Sequence, residues 1–251
     1  MTAQASARTT VDAGEIERFS AIAAEWWDPR GKFRPLHKLN PLRLAYIRDA
    51  VCTHLGRDPL SPQPLAGVRI VDVGCGGGLI AEPLARMGAE VVGIDAAERN
   101  VKTAAAHAAE GGVAVDYRAT TAEELAAAGE TFDVVVALEI VEHVADVDLF
   151  LEALTRMARP GGMLFMSTIN RTPKSWLFAI VGAEYVLRWL PRGTHEWRKF
   201  LRPSELINGL RRHGAEVREV KGVVYNPVND RFTLSSTDLD VNYMFHAIRA
   251  V

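Results

Sequence analysis

Apolar and polar positions follow two different periods along this chain. Short apolar runs at 69–73, 90–94, 113–118, 132–138 and 163–169 read as strands; the unbroken ones suit strands buried on both faces. Between them, near 78–88, 98–109, 121–128 and 146–158, apolar residues recur at steps of three and four, which predicts helices. Strand and helix in alternation predict a parallel sheet with helices on both faces and right-handed crossovers. Ahead of the first strand, 12–27 has a helical face of Ile16, Phe19, Ile22, Ala23 and Trp26. Asp28-Pro29-Arg30-Gly31 stops it. A loop at 35–40 then leads to a second helix at 41–55, with Asn40 as its cap and Pro41 in its first position. A proline-rich linker, 58–67, feeds the first strand. After the fifth strand the pattern gives a helix near 203–213 and strands near 215–225 and 241–249.

The 251 residues suffice for one α/β domain over 11–251, in which 11–60 is a helical cover and 170–202 an apolar, basic-flanked insertion. Residues 1–10 read as a disordered tail, neither secretory signal nor transit peptide. A net charge of -2 gives no bulk attraction to nucleic acid, and no nucleic-acid partner is expected. Cys52 and Cys75 form no disulfide framework, which suits a reducing cytosol.

The chemistry begins at Val71-Asp72-Val73-Gly74-Cys75-Gly76-Gly77-Gly78, a strand running into a glycine turn and then a helix. That architecture holds a nucleotide-like ligand at a helix N-terminus. The dinucleotide fingerprint G-x-G-x-x-G puts Leu79 where its last glycine belongs. What fits is G-x-G-x-G preceded by acidic Asp72, which resembles the S-adenosylmethionine (SAM) loop of Rossmann-like methyltransferases. A pyrophosphate wants bare N–H groups and no nearby carboxylate; SAM, with a sulfonium and an ammonium, tolerates one. Asp95 ends the second strand, placed to accept hydrogen bonds from ribose hydroxyls. Its structural alternative is to cap the helix that opens at Ala96-Ala97-Glu98.

The fourth strand ends at Leu138, which is placed to pack against the cofactor, and runs into Glu139-Ile140-Val141-Glu142-His143. One helical turn gathers Glu139, Glu142 and His143. Three readings stay open: ligands for a divalent cation such as Mg²⁺, His143 alone as general base, or a capped, solvated turn. Two carboxylates with one histidine and no thiolate cluster argue against zinc. The stretch 174–192 is apolar and aromatic between basic flanks. It reads as an interfacial helix or lid over an apolar substrate, or else as a core helix. It is too short, and too interrupted by charge, to span a bilayer.

Together these residues resemble the ubiquinone biosynthesis O-methyltransferase family. The particular segments are Trp26-Trp27-Asp28, Phe33-Arg34-Pro35-Leu36-His37, Thr168-Ile169-Asn170-Arg171, Val181-Gly182-Ala183-Glu184-Tyr185, Gly193-Thr194-His195 and Asp240-Val241-Asn242-Tyr243-Met244. The resemblance implies a Rossmann-like fold with a mostly parallel, doubly wound sheet. It implies O-methylation of a polyprenyl catechol and of demethylubiquinol. It implies SAM contacts at Arg43, Gly74, Asp95 and Leu138, with Asp72 and Gly76 in the same loop. Arg43 would meet the methionine carboxylate. Mg²⁺ on Glu139, Glu142 and His143, with Glu142 and His143 as the catalytic pair, is the family reading of that cluster. So is lipid contact through 174–192, in the bacterial cytoplasm at the inner face of the membrane, beside other ubiquinone-biosynthesis enzymes. Rival classes are an NAD-dependent oxidoreductase, which the loop disfavours, and a non-catalytic lipid-binding protein that retains SAM.

Overall fold

The computed structural model describes residues 8–177 and 196–251. Its strands are β1 (Arg69–Val73), β2 (Glu90–Asp95), β3 (Asp116–Ala119), β4 (Phe132–Leu138), β5 (Ala158–Ile169), β6 (Ala215–Asn226), β7 (Arg231–Ser235) and β8 (Asn242–Arg249). They form one sheet in the order β3-β2-β1-β4-β5-β8-β6-β7. The first five are parallel, β8 runs antiparallel to both β5 and β6, and β7 closes a hairpin on β6.

The helices are α1 (Ala13–Ala21), α2 (Arg34–Leu55), α3 (Ala81–Arg86), α4 (Glu98–Glu110), α5 (Ala122–Ala127), α6 (Val147–Met157), the single turn α7 (Pro173–Ser175) and α8 (Pro203–Arg212). Neighbouring residues of the central strands are buried on opposite faces, which is why those strands carry apolar stretches such as 134–138. Val71, Val135 and Leu164 pack with Phe150 and Leu154 of α6 and Leu206 and Leu210 of α8. Ile70, Val134 and Met163 pack with Ile47 and Val51 of α2 and Leu84 of α3. Strand order reverses between β1 and β4, so the carboxyl ends of β1, β2 and β4 open on one crevice.

Three elements differ from the sequence reading. The first helix stops at Ala21, and a 3-10 turn, Ala23–Glu25, follows. The turn swings Trp26 out to stack on Phe33, 3.7 Å between ring centroids, over Leu79. The second helix begins at Arg34, not at 41. Pro35 takes the first-turn place expected of Pro41. Pro41 lies inside the helix and removes one backbone bond there. Asn40 is therefore no cap; its buried side chain accepts from Arg43 at 3.3 Å. Strand β7 was not expected, although Phe232 and Leu234 alternate with polar residues and pack on the α2 side of the sheet. Cys52 and Cys75 are free and buried. No helix among the described residues is long and apolar enough to cross a membrane.

Candidate active site

The glycine turn is held by the tip of β2. The N–H groups of Gly74 and Cys75 donate to the Ile94 carbonyl at 2.8 and 2.9 Å. The Gly76 N–H donates to Asp95 Oδ2 at 3.0 Å. Gly74 and Gly76 have φ of 73° and 53°, where side chains are strained. A Cβ on Gly76 would lie 2.4 Å from the Trp26 ring, and one on Gly74 2.1 Å from Ile140. Asp95 Oδ1 accepts from the Ala97 N–H at 2.8 Å and from Asn100 at 3.3 Å. The capping alternative is thus present in part, since Asp95 holds the first turn of α4. Asn100 in turn accepts from the Trp26 indole N–H at 3.0 Å.

Residues 8–27 cover the crevice. The Trp27 indole N–H donates to the Gly77 carbonyl at 2.8 Å, and its ring stacks on His107 at 3.5 Å. Arg8 bonds Asp146 at 2.6 Å, the Thr10 hydroxyl bonds Glu123 at 2.6 Å, and the Ala145 N–H donates to the Thr10 carbonyl at 2.9 Å. Beneath this cover is a cavity of about 380 Å³. Arg43, Asp72, Gly74, Gly76, Asp95, Leu138, Glu139, Glu142 and His143, the candidate site residues, all line it. Its far wall is apolar, with Leu39 of α2, Val223 of β6 and Phe232 of β7.

Glu139 is the hub of the polar wall. Its φ of 51° is rare for a residue with a side chain; strain of that kind gathers at functional sites. Its carboxylate accepts from the guanidinium of Arg43, from the Ser167 hydroxyl at 2.7 Å and from the Asn242 amide at 3.1 Å. Arg43 is 2% exposed, and burial pulls its pKa down. Glu142 is buried and accepts from the Thr168 hydroxyl at 2.8 Å. Burial, then the charge of Glu139, raises the Glu142 carboxyl above the usual range. His143 Nδ1 meets Glu15 Oε2 at 3.3 Å, and the ring packs edge-on against Phe19.

The expected metal group does not assemble in this arrangement. Among the described residues no three His, Cys, Asp or Glu side chains come together to hold an ion. The physical reason is that each candidate ligand serves another partner: Glu139 faces a guanidinium, Glu142 a threonine and His143 a glutamate. Asn40 and Glu139 occupy the two terminal nitrogens of Arg43, which leaves its buried Nε as the part of the guanidinium without a partner. The sequence reading missed Glu15, Asn100, Ser167 and Asn242. Only Asn242 lay in a segment already singled out, Val241-Asn242-Tyr243-Met244. Residues 178–195, most of the apolar insertion, lie outside the described residues, as do 1–7 of the tail.

Comparison with known proteins gives the same fold. A methyltransferase-domain family model matches residues 71–166. Solved structures that share the fold include magnesium protoporphyrin IX methyltransferase from Synechocystis PCC 6803 with bound SAH, 20% identical, TM-score 0.61, covering 95% of each chain. The N-methyltransferase NodS from Bradyrhizobium japonicum WM9, in complex with SAH, has TM-score 0.59 at 16% identity over 94% of this chain and 97% of that one. Whole-length relatives are far more similar. The ubiquinone biosynthesis O-methyltransferase of Sinorhizobium medicae is 60% identical over 246 residues, 98% of this chain and 99% of its own. That of Mesorhizobium japonicum is 61% identical over 237 residues, 94% of this chain and 95% of its own. The chain is a SAM-dependent methyltransferase and belongs to the ubiquinone biosynthesis O-methyltransferase family.

Proposed function

We propose that this protein methylates a ring hydroxyl of a polyprenyl catechol and of 3-demethylubiquinol, the second giving ubiquinol. The observation that carries this reading is the 60% identity over 98% of the chain to a ubiquinone biosynthesis O-methyltransferase. The cavity is chemically suited to it. Two buried atoms of opposite sign, Asp72 Oδ2 and Arg43 Nε, have no hydrogen-bond partner. Such atoms are costly unless a ligand satisfies them. The amino-acid end of SAM, carrying both an ammonium and a carboxylate, offers a counterpart to each.

In this reading Arg43 takes the carboxylate, and Asp72 faces the positive groups. Gly74 and Gly76 let the ligand approach the backbone, Asp95 accepts from the ribose, and Leu138 packs on the adenosine. SAM, when bound, supplies a methyl group already activated by a sulfonium. The protein's part is to position the acceptor oxygen and remove its proton. His143 Nε2 takes that proton while Glu15 holds Nδ1, and buried Glu142 stabilises the resulting imidazolium. The apolar wall of Leu39, Val223 and Phe232 suits a prenylated ring.

The test is transfer of labelled methyl from SAM to a short-chain demethylubiquinol under reductant, with and without EDTA. Transfer is expected; its absence in protein that binds SAM would sink the acceptor assignment. A magnesium requirement, which the family resemblance implies, needs Glu139, Glu142 and His143 to exchange their present partners for the ion. Loss with EDTA and recovery with Mg²⁺ would establish that regrouping. Indifference to EDTA would leave His143 acting without metal.

Asp72 gives a prediction on pH. Burial, with Asp95 nearby, raises its carboxyl to about 7. Because the folded pKa lies above the unfolded one, the folded protein holds an extra proton between about pH 4 and 7. Asp72 therefore lowers stability as pH rises through that window. A cationic ligand favours the ionised form, so SAM binding at pH 6.5 is expected to expel a proton. Calorimetry in two buffers of different ionisation heat reads this release, and Asp72→Asn should abolish it.

The same reading has the protein work in the bacterial cytoplasm, peripheral to the inner face of the membrane, among other ubiquinone-biosynthesis enzymes. Trp176 and Leu177 are 49% and 50% exposed, and Trp197 is 38% exposed, beside the two ends of segment 178–195. Aromatic side chains of this kind favour a headgroup boundary. Deleting 174–192 is expected to cut co-sedimentation with anionic liposomes several-fold. Unchanged co-sedimentation would return that stretch to the core-helix reading.

A further inference from the structure

Asn242 opens β8, facing Ile169 across one ladder and Val223 across the other. It lines the cavity. Its Nδ2 donates to Glu139 at 3.1 Å, to Oε1 and to Oε2 alike. A carboxylate cannot donate in return, so the amide orientation is fixed: nitrogen toward Glu139, oxygen away from it. That oxygen, Oδ1, is buried and has no hydrogen-bond partner. A buried amide acceptor held in one orientation and left unpaired is a recognition group waiting for a donor.

We propose that Asn242 positions the acceptor ring, its Oδ1 accepting a hydrogen bond from a ring hydroxyl adjacent to the one that is methylated. This rests on the phenolic acceptors proposed above. Those two acceptors differ in ring substitution, yet in each a second hydroxyl sits ortho to the reacting oxygen. One fixed acceptor atom thus serves both. It also selects the reduced ring, because a quinone carbonyl at that place has no proton to donate. Glu139, clamped between Arg43 and Asn242, orients the amide and links acceptor recognition to the cofactor side of the cavity.

A two-by-two comparison tests the assignment. The enzymes are wild type and Asn242→Thr, whose hydroxyl can still donate to Glu139. The acceptors are a short-chain alkyl catechol and the matching phenol without the adjacent hydroxyl. Intrinsic reactivity of the two rings cancels in the ratio of kcat/KM ratios. That ratio of ratios is expected to be roughly tenfold, the discrimination of one neutral hydrogen bond, with the Kd for SAM unchanged within about twofold. Equal discrimination by both enzymes would overturn the proposal. So would a SAM affinity that falls by the whole factor, since the donor would then be the SAM ammonium. If Asn242→Thr does not fold, Asn242→Ser takes its place in the same comparison. Wild type that binds SAM and methylates neither ring would instead refute the proposed acceptor class.

Discussion

Replacing His143 by alanine is expected to lower methyl transfer by a factor of roughly 10² to 10³ at neutral pH, a usual range for loss of a general base. Affinity for SAM should change little. A neutral phenol is a poor nucleophile, and in the proposed mechanism the His143 imidazole takes its proton. The fold should survive the change. Glu15 keeps Arg18 at 2.5 Å and Lys199 at 3.4 Å, so its carboxylate is not orphaned. Single-turnover transfer measures the effect, with SAM binding followed by calorimetry. The deficit should narrow as pH approaches about 10, where a phenol ionises unaided. A constant deficit across pH, or a parallel loss of SAM binding, would assign His143 to structure.

Arg43→Met is expected to have the largest effect on stability. The side chain is 2% exposed and its charge answers Glu139, itself fixed by Ser167 and Asn242. Breaking a buried pair by removing one partner costs about 3–5 kcal/mol, because the other charge stays behind. Glu139 is 19% exposed, so the lower end applies. For a chain of this size about 3 kcal/mol lowers Tm by roughly 6–12 °C. Adding Glu139→Gln should restore much of that stability, while SAM binding stays weak for want of the guanidinium. Thermal melts of the two single variants and the double variant form the cycle that isolates the pair. Additive losses would mean that the pair contributes nothing.

The strands, most helices and the cofactor loop were legible because each is written locally. A run such as 134–138 is apolar throughout, and Gly74 and Gly76 stand where the turn needs positive φ. Boundaries shifted where distant contacts decide. Pro35 rather than Pro41 opens the second helix, just after Phe33, whose ring packs with Trp26 against Leu79 of a distant segment. The chemical cluster shows the same limit. Glu139, Glu142 and His143 line one cavity, but no helical turn gathers them: Glu139 lies at positive φ ahead of the 3-10 turn Val141–His143. What each of them bonds is set by Arg43, Thr168 and Glu15, supplied by other elements. The edge strand β7 did carry a signal, in its alternation of Phe232 and Leu234 with polar residues, and went unread beside the longer β6.

The aromatic cover has a consequence in time as well as in shape. Trp26 and Trp27 rest on the same glycine turn that the proposed SAM site includes, and residues 10–19 wall the cavity above it. A ligand in that space and the segment above it therefore stabilise one another, each slowing the other's departure. The segment is tied down by bonds at Asp146, Glu123, Ala145, Asn100 and Gly77, all outside the strand ladders, so it can open without the sheet melting. Arg30 lies in the exposed turn just beyond it. The rate at which trypsin cuts there is thus a clock for occupancy, running fast in the empty enzyme and slow in the charged one.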